Sequence, residues 1–281
     1  MPGMIYKPLY GSDLIESYAE LGVKKAERKA TKIILLGFIS GVFVAFGGVA
    51  SNTIIHSIAN PGMTRLISGM VWPIGLAIVM LLGGELFLGN TMMVISVLEK
   101  KITIPAMLRN WALVYMGNFF GGLFISALIV FTGQLELNDG ALAVFTIQLA
   151  AGKLSPGFVR EMVSGMLCNL LVCAAVLCSM TAKDTTGKIL GAYIPVLYFI
   201  VGGFDNAVAN MYLVPAGLLA VECPKYVALA INAGVDISIL NWGNYLGGNL
   251  LPVSIGNCIA GMGLSSLLWY CHSSGTNVIQ S

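Results

Sequence analysis

Two charge-free apolar runs in this chain are too short to cross a bilayer, and each follows another such run after a single carboxylate. The runs at 33–64, 66–84, 110–135, 162–182, 189–204 and 237–271 have, or come near, the ~20 apolar residues that a helical span needs. Those at 86–98 and 206–221 do not, and the lone acids Glu85 and Asp205 separate them from 66–84 and 189–204. Joining each pair gives six crossings, with the second and fifth broken near mid-membrane. Composition agrees. Only 10% of the 281 residues are charged and 57% are hydrophobic, where a soluble domain carries roughly a quarter charged. Lipid is therefore the main solvent, and the 34 glycines suit close helix packing there. A net charge of +2 gives no reason to expect a nucleic-acid partner. The fold predicted is an all-α, multi-pass membrane protein.

Lys and Arg orient it. With both termini inside, eleven of the 15 fall on the cytoplasmic side: Lys7, Lys24, Lys25, Arg28, Lys29 and Lys32, then Lys100, Lys101, Arg109, Lys183 and Lys188. Arg65, Lys153, Arg160 and Lys225 fall outside, which follows the positive-inside rule. The expected location is the plasma or inner membrane. Residues 1–32 mix both charge signs and lack the apolar core of a signal peptide. Leu14, Tyr18, Leu21 and Lys25 share one face of a short amphipathic helix, to be set against a solvated leader. Residues 33–272 form the six-span domain, and 273–281 a short cytoplasmic tail.

The two halves, about 33–135 and 157–272, repeat one order of motifs. Ser40-Gly41 in the first span answers Ser164-Gly165 in the fourth. Gly83-Gly84-Glu85 before Asn90 in the second answers Gly202-Gly203-Phe204-Asp205 before Asn210 in the fifth. Gly117-Asn118 in the third answers Gly256-Asn257 in the sixth. Three spans per half is an odd number, so the second half runs inverted. Inverted repeats with broken helices set a site at the bilayer midplane, because irregular backbone there must be buried in protein or line a cavity. Half-helix N-termini, partly positive, would face it. Glu85 and Asp205 either cap those ends or take part in transport; capping is the plainer reading.

Taken together, Gly83 to Asn90, Tyr115-Met-Gly-Asn118, Asn169-Leu-Leu-Val-Cys173, Gly203 to Met211 and Asn249 to Asn257 resemble the formate/nitrite transporter family, over residues 15 to 272. The resemblance implies an aquaporin-like fold, a homopentamer with one pore per subunit, no cofactor and no metal. Its substrates would be formate first, with acetate, lactate, nitrite or hydrosulfide as further candidates. It also implies roles: Leu76, Leu86 and Phe87 at a cytoplasmic constriction, Trp72 and Phe199 at an outer one, Lys153 in the vestibule with Asn169 beside it, and Asp205, Asn206 and Asn210 at the fifth span's break. Two positions depart from the family pattern, Asn206 for a pore histidine and Leu88 for a threonine.

An amide donates hydrogen bonds but does not titrate, so the proton that accompanies an anion must come from water. The competing readings are a pH-insensitive anion or hydrosulfide channel and an aquaporin-type neutral-solute channel. The second lacks paired Asn-Pro-Ala loops, since the only Asn-Pro is Asn60-Pro61. Lys153 can also be an ordinary loop charge. An enzyme using Glu85 and Asp205 as acid and base has no supporting nucleophile, His cluster or cofactor motif. Six cysteines show neither CxxC nor metal-ligand spacing.

Overall fold

A computed structural model describes residues 9–272; the tail expected at 273–281 and the first residues of the leader lie outside this range. The described residues contain helices and no strand. In chain order the helices are α1 (Ser12–Ala26), α2 (Ala30–Ile55), α3 (Pro61–Val71), α4 (Pro73–Leu81), α5 (Phe87–Asn90), α6 (Val94–Leu98), α7 (Ile104–Phe131), α8 (Ala141–Leu154), α9 (Phe158–Thr181), α10 (Thr185–Gly202), α11 (Ala207–Ala220), α12 (Pro224–Asn232) and α13 (Leu251–His272). A π-helical turn, Asn244–Leu250, leads into α13. Among the described residues six stretches are long and apolar enough to cross a membrane: α2, α3 with α4, α7, α9, α10, and the π turn with α13. The breaks fall at 82–86 and 203–206, after which the chain resumes in the shorter α5–α6 and α11. Both expected interruptions are present, and physical chemistry fixes where. Gly83 and Gly203 adopt φ of 67° and 74°, a left-handed turn that favours residues without a Cβ.

Each half is built on one intimate helix pair, α2 with α7 and α9 with α13. Glycine permits the approach. A Cβ at Gly121 would lie 2.2 Å from the Phe38 carbonyl oxygen, and one at Gly256 only 1.9 Å from that of Met162. With lipid as solvent, such backbone contact replaces the hydrophobic drive available in water.

α1 is neither a frayed leader nor a helix lying free on a surface. Tyr18 is 1% exposed and donates to the Gly89 carbonyl at 2.7 Å. Ser96 donates to the Ala19 carbonyl at 2.8 Å, so α1 is clamped against the short half-helix α6. Its counterpart in the second half is α8, as the ion pairs below make plain.

Candidate functional site

Two polar clusters, one per half, hold the broken helices in place. In the first, Glu85 is fully buried. It accepts from Lys25 Nζ at 2.7 Å, from Arg28, and from Asn90 Nδ2 at 2.7 Å. Asn90 Nδ2 also reaches Asn110 Oδ1, whose own Nδ2 donates to the Lys25 carbonyl. In the second, Asp205 accepts from Lys153 Nζ at 2.5 Å, Ser164 Oγ at 3.1 Å and Asn210 Nδ2 at 3.2 Å. Asn210 Nδ2 also reaches Asn249 Oδ1, whose own Nδ2 donates to the Lys153 carbonyl. Lys25, Glu85, Asn90 and Asn110 are thus repeated by Lys153, Asp205, Asn210 and Asn249. The motif repeat extends to α1 and α8, beyond the 33–135 and 157–272 limits read from apolar runs alone.

The half-helix N-termini are tethered rather than capped by the acids. Asn118 Oδ1 accepts from Phe87 N at 2.9 Å, and Asn257 Oδ1 from Ala207 N at 3.1 Å. Capping by Glu85 and Asp205, the plainer sequence expectation, does not occur. Each acid stands two residues before its helix and is held by cations instead. The cap in the second half is Asn206, whose Oδ1 accepts from Val208 N and Ala209 N at 2.9 and 3.1 Å. Leu86, in the same place in the first half, provides none.

A row of cavities joins the two clusters. On the Lys153 side a space of about 710 Å³ is lined by Arg65, Lys153 and Arg160 against the acids Glu161 and Asp205. It shares Lys153, Gly203 and Phe204 with a deeper cavity of about 150 Å³, which ends at Trp72, Phe199 and Asn206. Those three also line a void of about 10 Å³, together with Leu76, Leu86, Val44, Val172 and Val196. Leu76 and Leu86 pass on to a space of about 220 Å³ on the other side, where Lys25 and Arg28 stand against Glu85. The void is a neck. It is at the threshold for a single water, ~10–15 Å³ by this kind of measure, and its walls are apolar but for Asn206.

Most of the residues expected at the site meet along this row: Leu76, Leu86, Trp72, Phe199, Asn206, Asn210, Lys153 and Asp205 line it, with the break residues Gly83, Gly84, Glu85, Gly202 and Gly203 at its two mouths. Three do not. Phe87 packs edge-on against Tyr115 and Trp111, with ring centroids 4.8 and 6.2 Å away. Leu88 is wholly buried. Asn169 is not beside Lys153: its Nδ2 donates to Thr91 Oγ1 at 3.0 Å and the Asn257 carbonyl at 2.6 Å, tying α9 to α13. Sequence reading missed Lys25 and Arg28 as partners of Glu85, and the vestibule acid Glu161. Only the mirrored asparagines hinted at the first.

Residues 12–271 match the family model described as "Formate/nitrite transporter". The chain belongs to the formate/nitrite transporter family. Among relatives in this family, the formate channel FocA of Haemophilus influenzae is 33% identical over 255 residues, covering 87% of this chain and 88% of that protein. The formate channel BtFdhC of Bacillus thuringiensis is 31% identical, covering 92% and 93%. A solved structure, a pentameric formate channel with formate bound, superposes with a TM-score of 0.76 at 30% identity over 86% of this chain and 96% of that one. This member of the formate/nitrite transporter family is thus a multi-pass membrane protein of the small-anion channel and transporter class.

Proposed function

We propose that each subunit moves a small monocarboxylate, formate first, across the plasma or inner membrane together with one proton, in a homopentamer with both termini cytoplasmic. The row of cavities within a single protomer carries this reading. It runs from one cationic mouth to another through a neck too small for a hydrated ion. Three cations face two acids at the Lys153 mouth, and two face one at the Lys25 mouth. Either mouth therefore attracts an anion.

The neck decides what passes. A bare carboxylate in apolar surroundings costs many kcal/mol and neutralises instead. The acid of formate or acetate has an ordinary pKa of ~4, like a side-chain carboxyl, and loss of water raises such a value by up to ~3–5 units. Protonation near neutral pH follows as hydration is shed. Asn206 holds one α11 amide pair with its oxygen and keeps Nδ2 as a donor toward the solute. Because that amide cannot titrate, water supplies the proton. Leu88 stands where the family pattern has a threonine. Its burial supports a packing role rather than a gate.

The same untitratable Asn206 favours a second reading, an anion channel indifferent to pH. Labelled formate uptake into proteoliposomes containing a trapped pH dye separates the two. Uptake that rises as external pH falls, with the lumen acidifying in step with formate entry, is the expected result. A formate current in a planar bilayer that ignores pH and moves no protons would establish the channel.

A further inference from the structure

At the Lys25 mouth, α1 lines the space of about 220 Å³ and closes one side of it. Tyr18 donates to the Gly89 carbonyl and Ser96 to the Ala19 carbonyl, and a Cβ at Gly22 would lie 1.9 Å from Ser96 Oγ. The next turn is held by Lys25 on Glu85. A solute leaving the neck must either displace α1 from these bonds or pass beside it.

Beside it lies a cleft of about 580 Å³. Among the described residues, only Met80 and Met180 line both this cleft and the space at the mouth. They stand in the last turns of α4 and α9 and are half-buried. Methionine is unbranched, with three rotatable bonds, so such a pair adapts its shape more readily than branched side chains do. On α1, Leu21 lines the mouth and Ser17 the cleft, four residues apart on one helix face. The cleft carries charge of one sign. Lys183 and Lys188 are exposed in it, neither is in an ion pair, and no acid lines it among the described residues. Asp184, between them in sequence, is engaged as the N-cap of α10, with Oδ1 accepting from Gly187 N at 2.8 Å. A cleft lined by cations alone raises the local concentration of anions.

We infer that the pore opens to the cytoplasm sideways, between Met80 and Met180, into a cleft where Lys183 and Lys188 gather the anion. This route rests on the transport reading above, with its cytoplasmic termini, and adds the path at that end. It lets a solute pass with α1 still bonded in place. Lys183 and Lys188 steer the anion without lining the neck, so they act on KM and not on the maximal rate.

Labelled formate uptake is measured in right-side-out and inside-out membrane vesicles at low and high salt. The variants are Lys183→Gln with Lys188→Gln and, as a control, Lys100→Gln with Lys101→Gln, which removes two exposed lysines from the same face outside the cleft. For an anion ~10 Å from each lost charge, in water at ~0.01 M salt, the first pair corresponds to about a threefold rise in KM. That rise is expected only for formate entering from the cytoplasmic face, with the maximal rate kept. It should vanish at ~1 M salt, where the Debye length is ~3 Å. The control pair is expected to match wild type. Met180→Trp, checked for assembly by size exclusion, should fill the gap and lower the maximal rate from both faces. An unchanged KM in the Lys183 and Lys188 pair, an equal rise in the control pair, or a wild-type rate in assembled Met180→Trp, beside a wild type that takes up formate, overturns this route alone. A wild type that takes up no formate overturns both the route and the transport reading.

Discussion

Replacing Lys153 by Met tests what the cationic mouth does. The substitution leaves the Asp205 carboxylate with only Ser164 Oγ and Asn210 Nδ2 as donors. Two cations then face two acids in the wide cavity, and its positive excess is gone. An anion entering roughly 7 Å from Asp205, at an effective dielectric of ~40 between bulk water and protein, is repelled by about 332/(40 × 7), or ~1.2 kcal/mol. That is about an eightfold rise in apparent KM for formate. Some stability is lost as well. Removing one partner of a fully buried pair costs ~3–5 kcal/mol and of an exposed pair ~0–1. Here the side chains are 20% and 10% exposed, so the loss falls between. The informative companion is Lys153→Met with Asp205→Asn. It removes the stranded carboxylate and returns the cavity to Arg65 and Arg160 against Glu161. Formate uptake in proteoliposomes, with assembly checked by size exclusion, is expected to return to within about twofold of wild type. A double variant as poor as the single one would refute the field argument and make the ammonium group itself the contact for the anion.

At the neck, Asn206→Asp keeps an oxygen that caps α11 but sets a carboxylate among apolar walls, so formate uptake should fall about tenfold or more. Asn206→Ala loses the cap, costing ~1 kcal/mol, and should lower the melting temperature while sparing more uptake; the reverse order of uptake would contradict the assignment. Gly256→Ala drives a Cβ to 1.9 Å from the Met162 carbonyl oxygen and should abolish assembly in detergent, whereas Gly152→Ala, which meets nothing within 4 Å, should leave it intact.

What could be read in the sequence follows from how local each cause is. One carboxylate inside an apolar run, beside paired glycines, marks a break because neither charge nor left-handed backbone suits a helix in lipid. Both breaks lie where Gly83-Gly84-Glu85 and Gly203-Phe204-Asp205 put them. The repeated order of Ser-Gly, Gly-Gly and Gly-Asn motifs is local too. Ion pairs are not. Lys25 and Glu85 stand 60 residues apart, and in a stretch of mixed charge Lys25 looks like any surface lysine, so nothing in the sequence joins α1 to the repeat. The capping expectation failed because a carboxylate one residue before the N-cap position binds cations arriving from α1 or α8. Asn169 and Phe87 sit on helix faces whose direction depends on the crossing of α9 with α13 and on the packing around Trp111 and Tyr115, which no spacing in the chain specifies.

The route through the neck of one protomer is tested most directly by a gain of function, which misfolding cannot imitate. Phe199→Ala widens a void of about 10 Å³ on the Lys153 side of Leu76 and Leu86. Labelled formate and lactate uptake are compared in proteoliposomes of equal protein content. Lactate entry should rise at least tenfold relative to formate, with formate entry retained. A lactate-to-formate ratio identical to wild type, in a variant that assembles normally, would mean that the solute travels by some other path.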